Sequence, residues 1–334
     1  MTAYIIRRLL YMIPIVMGVL LVTFCLFTLI GGDISQQIAG KNADAETIAE
    51  IRHEYGFDKP LFKVDMGPVR ESFHEEGFRA GIGTFFEGSQ FLNHFKKAFT
   101  FQFGRALDHE KIGEKILRGV GPSLALTVPM FIGTVIISIS FALIVAFLRG
   151  TAWDHTIVIL CVAGMSIPYL SFIIFGQYYF AYKLDWFPIF YDPSRPMYLS
   201  TILPVLIGIV AGLGMNVRFY RTVMLDEIRS DYVRTAFAKG LATPKVLFKH
   251  VLKNAMIPIV TNVVLSIPYL ILGSLLLERF FGIPGLGYLM IEAINARDFF
   301  VLNAMTFIMA LLIAFFTLVA DICYAWVDPR VKFD

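Results

Sequence analysis

Gly121-Pro-Ser-Leu-Ala-Leu-Thr-Val-Pro-Met-Phe-Ile-Gly-Thr-Val-Ile-Ile-Ser-Ile-Ser-Phe-Ala-Leu-Ile-Val-Ala-Phe-Leu148 runs for 28 residues without a charged side chain. A helix needs about 20 mostly apolar residues to cross a bilayer core, so this stretch reads as a membrane span. Five more pass the same test: Leu9 to Ile30, Thr156 to Tyr182, Pro196 to Val217, Ala255 to Leu277 and Phe299 to Ala320, the last continuing to Val327 past the single Asp321. The whole composition agrees. Of 334 residues, 57 % are hydrophobic and 16 % charged, against about 45–50 % and about 25 % in soluble domains. Those figures exclude a water-soluble enzyme, a disordered chain and a fibrous repeat. The expected fold is an all-α polytopic membrane protein with six transmembrane helices.

The first stretch resembles a signal peptide in having Arg7 and Arg8 ahead of it. Its apolar run is about twice a signal's 7–15 residues, so it reads as a retained span. Six spans put both ends on one side, and basic residues choose the side. Arg7, Arg8, Arg149, the eight basic residues from Arg218 to Lys253, Arg330 and Lys332 give thirteen on one face. The short loops of the other face hold only Lys183, Arg195, Arg279 and Arg297. Both termini are therefore expected in the cytoplasm. Trp186, Tyr191, Tyr324 and Trp326 fall at span ends, as an interfacial belt would. Pro129, Pro168, Pro204 and Pro268 interrupt spans; they read equally as packing kinks or as the frame of a passage.

Residues 33–120 form a long extracytoplasmic segment with 12 basic and 14 acidic residues. Within it a short helix is expected after Asp44 as N-cap, with Ile48, Ile51 and Tyr55 on one face and Gly56 ending it. From Met66 to Phe99 no firm periodicity is visible. His53, His74, His94 and His109 lie among acids, but none shows the spacing of a metal motif. Cys25, Cys161 and Cys323 sit in or at the end of apolar stretches and read as small packing residues. The chain thus divides into 1–32, 33–120 and a five-helix core over 121–334 that includes a cytoplasmic loop at 218–254.

That loop carries eight basic and three acidic residues. Asp231 is placed to cap a short helix stopped by Gly240, and Thr243 with Pro244 to start a second. Leu247, Phe248 and Val251 are expected on its apolar face and Lys245, Lys249 and Lys253 on a basic stripe. A DNA-binding helix-turn-helix has a similar outline, but two flanking spans keep it from a duplex, so no nucleic-acid partner is expected. Two readings stay open: a solvated basic loop against anionic membrane lipid, or a docking element. The small Ala236, Gly240 and Ala242 would let a partner approach closely.

Arg234-Thr-Ala-Phe-Ala-Lys-Gly240 resembles the cytoplasmic "EAA" loop of bacterial ABC-importer permeases, closest to the dipeptide, oligopeptide and nickel branch. Tyr4-Ile-Ile-Arg-Arg-Leu-Leu, Gly56-Phe-Asp-Lys-Pro-Leu, Glu278-Arg-Phe-Phe-Gly-Ile-Pro-Gly-Leu-Gly287 with Arg297-Asp298, and Val327-Asp-Pro-Arg330 resemble other parts of that branch, in order along the chain. Arg234 stands where the wider superfamily often has Glu, Phe237 replaces a common Arg, and Met66–Phe99 looks like an insertion.

The resemblance implies a type I ABC-importer-like fold and a non-catalytic permease subunit in the bacterial inner membrane. It would form half of a translocation pore for peptides. Implied partners are a second homologous permease subunit, two cytoplasmic ATPase subunits, an extracytoplasmic substrate-binding protein, the peptide and membrane lipid. No cofactor is expected in this chain, with ATP and Mg held by the ATPases. Arg234, Thr235, Ala236, Gly240, Leu241, Ala242, Thr243 and Pro244 are the expected ATPase-coupling residues. The residues agree independently that the chain is no enzyme: there is no phosphate loop and no nucleophile elbow. A secondary transporter or channel is the competing class, as is an importer of nickel chelates or other non-peptide ligands. Ion coupling usually places ionisable residues mid-membrane, and the six stretches hold no Asp, Glu, Lys, Arg or His.

Overall fold

The computed structural model describes residues 2–26, 28, 34–39, 43–75, 77–271 and 273–327. Parts of two expected features, the first span at Phe27, Leu29 and Ile30 and the C-terminal Asp328–Arg330 with Lys332, lie outside them. Among the described residues the chain is helical, and its only β pairing is an isolated bridge between Arg105 and Lys111. Helix α1 is Thr2–Cys25, followed by α2 (Ile34–Ala39), α3 (Ala45–Tyr55), α4 (Met66–Glu75), α5 (Phe78–Glu87) and α6 (Gln90–Phe99). Then come α7 (Ile112–Phe147), α8 (Ala152–Ser166), α9 (Tyr169–Gly176), α10 (Met197–Ile228), α11 (Asp231–Ala238), α12 (Thr243–Val246), α13 (Lys253–Ile271), α14 (Leu275–Phe281), α15 (Leu286–Ala296) and α16 (Phe299–Val327). Helix α7, helix α10, the run from Thr243 and helix α16 are long and apolar enough to span a membrane, and α8 with the stretch through Lys183 makes a bent fifth candidate. Helix α1 contributes a shorter described apolar run, Leu10–Cys25.

Two sequence expectations change at this point. Thr156–Tyr182 is not one straight span: the chain turns by 91° between Ser166 and Tyr169. Pro168 lacks the N–H a helix would use and holds Ile167 extended, at ψ 125°, so the helix stops and restarts. Nor does Ala255–Leu277 stay helical. The helix ends at Ile271, Gly273 takes φ +76°, and α14 begins at Leu275.

The chain forms two compact units, one built around Arg118–Ile291 and the other from Arg7–Leu117 with Glu292–Ala314. In the first, α8 packs on α10 so closely that a Cβ on Gly214 would stand 2.7 Å from the Cys161 carbonyl oxygen. One core there gathers Leu126, Ile173, Leu203, Ile207, Leu277 and Phe281. In the second unit the expected helix after Asp44 is present. Asp44 accepts from Thr47 N at 3.0 Å, and Gly56 closes the helix at φ +74°. The aperiodic stretch Met66–Phe99 turns out to hold α4, α5 and α6, with Gly81 pressed under the Phe73 ring. Val16 and Leu20 of α1 share a core with Ala98 and Phe307.

Candidate functional site

Helix α11 begins just after Ser230, which takes the N-cap conformation without a side-chain bond, so Asp231 is the first helical residue rather than the cap. The helix ends in a Schellman motif: Gly240 N donates to Phe237 O at 2.9 Å and Leu241 N to Ala236 O at 3.4 Å. This closure needs a left-handed residue, and Gly240 supplies it at φ +74°. Ala242, not Thr243, is the extended residue before the next helix, and Pro244 occupies its first turn. Pro at that place has no N–H to leave unpaired. The second helix is not a separate projection. From Thr243 it passes through a π-helical segment, Leu247–Leu252, and continues into α13 without a break. Helix α10 likewise runs on to Ile228.

The expected coupling residues divide into two groups. Arg234, Thr235, Gly240, Ala242, Thr243 and Pro244 are exposed, whereas Ala236 is buried and Leu241 half-buried. Ala236 and Val233 enter a core with Ala142 and Ala146 of α7, Tyr220 and Met224 of α10, and Val246, Leu247 and Val251. Leu241 packs against the same cluster. Phe248 corrects the reading of the apolar face: it is 62 % exposed. Lys245, Lys249 and Lys253 are exposed as expected. The arrangement is a short helix tied to the ends of three long helices by one face. Its other face presents Tyr232, Arg234, Thr235 and Phe237, beside Phe248 and the lysines.

Sequence reasoning missed three features of this unit. Asp154, 3 % exposed, sits in the first turn of α8 and receives Arg221 of α10 through Nε and Nη2, each at 3.0 Å, with Gly150 N at 3.0 Å on the same carboxylate. Both residues lie just outside the apolar stretches, so only the α8–α10 packing reveals the pair.

A second missed feature is Glu278, fully buried in α14. Its carboxylate accepts from Ser123 Oγ at 2.8 Å, Ser274 N at 3.0 Å and Tyr288 N at 3.0 Å, while Ser123 Oγ accepts from Leu286 N at 2.7 Å. Burial pushes the Glu278 carboxyl above its usual value, and these donors, Tyr288 N first, pull against it. The Glu278–Gly287 motif is thereby folded around one carboxylate and fastened to α7. Gly282 at φ +68° closes α14.

The third is a cavity of about 340 Å³ between α7, α10 and α13. Thr127, Thr134, Asn216, Asn262, Ser266 and Tyr269 supply its polar groups, Met130 and Phe131 its apolar wall, and no charged residue lines it among the described residues. Tyr220 Oη donates to Asn262 Oδ1 at 3.4 Å, linking α10 to α13 at its edge. Uncharged polar residues inside apolar stretches were the available sequence signal.

Comparison with known proteins fits this architecture. Residues 138–333 match the family described as "Binding-protein-dependent transport system inner membrane component", and residues 1–71 match that of its N-terminal membrane component. The chain is 29 % identical to the dipeptide transport system permease protein DppB of Alkalihalophilus pseudofirmus, over the full length of both chains. It is 30 % identical, again over both full lengths, to the glutathione transport system permease protein GsiC of Shigella flexneri and of Escherichia coli K12. With all-helical elements, long apolar spans and full-length matches to peptide-type permeases, the chain belongs to the inner-membrane permease family of binding-protein-dependent ABC importers.

Proposed function

We propose that this chain is one of two permease subunits of an ATP-driven peptide importer, and that the exposed face of α11 and α12 is the seat of a cytoplasmic ATPase subunit. The observation that carries the reading is the two-faced build of α11. Val233 and Ala236 root it in a core shared with α7, α10 and α13, while Arg234, Thr235 and the Gly240 turn face outward. A push on the outer face reaches the spans through packed side chains and through a helix continuous from Thr243 to Ile271, with no flexible joint between. Apart from Gly240 and its two chain neighbours, no atom of the described residues lies within 4 Å of where a Gly240 Cβ would stand, so a partner can approach the backbone there.

On this reading both termini and the Arg234–Lys253 face are cytoplasmic, following the basic residues. The uncharged cavity with Asn216, Asn262 and Ser266 is this subunit's share of the passage. Amide and hydroxyl groups there can pair with a peptide backbone without selecting on side-chain charge, leaving selectivity mostly to the binding protein. Peptides are the substrate class because the dipeptide and glutathione permeases match over their full lengths.

Cysteine cross-linking tests the seat. With Cys25, Cys161 and Cys323 replaced by serine, Thr243→Cys and Arg234→Cys should each link to an ATPase subunit in membranes, and nucleotide should change the yield. Val233→Cys and Leu247→Cys, both buried, should not. Equal labelling of all four, or links only to lipid-phase reagents, would contradict the assignment.

A further inference from the structure

We propose that the recess between α1, α6 and the head of α16 binds a phosphate-bearing headgroup, supplied by a phospholipid of the surrounding bilayer. Helix α6 sets its depth. Near the Cys25 end of α1, the Phe24 ring lies 5.4 Å from Phe91 and 5.8 Å from His94. Further back along α1, Val16 and Leu20 share their core with Ala98. Helix α6 therefore runs antiparallel alongside a helix read as a span. The return path is marked on α16. Phe99, Phe101 and Phe103 lie against Phe307 at 6.3, 6.2 and 6.2 Å, whereas Leu107 N donates to Asp298 Oδ2 at 2.8 Å just ahead of that helix. From Asp298 to Phe307 is nine residues, or about 13 Å at the helical rise. The chain thus dips along two apolar helices and climbs out again, leaving Phe99 and Phe101 about half exposed, at 49 % and 57 %.

The wall of this dip is polar in an unusual way. It encloses a recess of about 170 Å³ lined by Lys97 and Arg105, with no acidic residue among the described residues of its lining. Among the described residues Lys97 makes no close ion pair, the Glu87 carboxylate acting on it only at longer range while pairing with Lys96, and the Arg105 guanidinium reaches only the His109 carbonyl, at 2.9 Å. Two further lining groups, His94 Nε2 and Asn303 Oδ1, are buried without a hydrogen-bond partner. Buried polar atoms are normally satisfied, so both ask for a ligand. His94 can present an N–H, and the Asn303 amide can turn its NH₂ inward. Two cations and two such donors suit a phosphate group. Phe24, Phe103 and Phe307 in the same lining suit the apolar part of a lipid. The phosphate that surrounds a membrane chain at this depth is a headgroup.

The test uses the full importer complex purified in mild detergent, with retained phospholipid counted by native mass spectrometry. The wild type should carry tightly held phospholipid. In Lys97→Gln/Arg105→Gln occupancy should fall roughly tenfold, as loss of about 1.4 kcal/mol of charge-assisted binding implies. Lys97→Arg should keep it. Lys96→Gln should also keep it, because Lys96 pairs with Glu87 at 2.8 Å, outside the recess. The same elution volume and melting temperature in all variants separates lipid loss from misfolding. Equal occupancy in the double variant and the wild type would overturn the proposal. Absence of bound lipid, with millimolar inorganic phosphate raising the melting temperature of the wild type but not of the double variant, would overturn the lipid source and leave a free-phosphate site.

Discussion

A carboxylate that accepts from Ser123, Ser274 and Tyr288 without reaching solvent is sensitive to changes an ångström away. A Cβ on Gly285 would stand 2.4 Å from Glu278 Oε2 and 2.5 Å from Ser123 Oγ, and neither atom can retreat without giving up a hydrogen bond. We expect Gly285→Ala to cost about 3 kcal/mol, from overpacking and lost pairing together. Gly282→Ala should cost about 1 kcal/mol, because that residue has open space and only its φ of +68° to oppose a side chain. Melting of the purified complex distinguishes them; equal losses would mean that Glu278 does not organise the turn. A second expectation concerns Asp154→Asn, which strips the charge partner from a largely buried Arg221, 23 % exposed. The loss should be about 2 kcal/mol, and adding Arg221→Gln should recover part of it in a double-mutant cycle. Neither arrangement was legible in the sequence. Ser123 and Glu278 are 155 residues apart, and Asp154 and Arg221 are 67 apart, so packing alone brings them together. Capping residues were easier to read, because Asp44, Gly56 and Gly240 act on neighbours a few positions away.

Helices α11 and α12 let stability and coupling be separated. Val233 is fully buried, so Val233→Ala should cost about 2 kcal/mol of stability while leaving the outer face unaltered. Arg234→Glu should leave the melting temperature unchanged, since Arg234 is exposed and its contact with Asp231 is a 3.4 Å surface pair. On our reading, however, it should lower substrate-stimulated ATP hydrolysis severalfold. The opposite pattern would make the loop a structural strut. At this scale the sequence was informative where a local rule decided the matter. The Gly240 stop and the Pro244 start follow from φ requirements and a missing N–H. Pro168 carried its own signal, but within an unbroken apolar run it read as a kink rather than a 91° turn. The helices α4 and α5 escaped because their apolar residues serve two faces. Val69 is buried, while Phe78, Ile82 and Phe85 form an exposed stripe at helical spacing.

For the whole molecule, composition and the length of the uncharged apolar stretches gave the membrane class, and the order of motifs along the chain gave the family. The cavity that we propose as the passage was not legible, because Asn216 and Asn262 share it only once α10 and α13 pack. Its uncharged lining predicts that Asn262→Leu reduces uptake of peptides of differing side-chain charge to a similar extent, without changing complex assembly. Uptake selective for one charge class would place the passage elsewhere. The central claim is that force from ATPase subunits enters through the Gly240 turn. It is tested most directly by measuring ATP hydrolysis and substrate uptake together in proteoliposomes holding the complex with wild-type chain or with Gly240→Val. No neighbouring atom stands where the new side chain would begin, so its effects are the strain of φ +74° and the obstruction of a docked partner. We expect a complex that inserts normally but whose uptake per ATP hydrolysed falls at least roughly tenfold, the result of losing about 1.4 kcal/mol of coupling. Uptake and hydrolysis both at wild-type levels, at equal expression, would contradict the account.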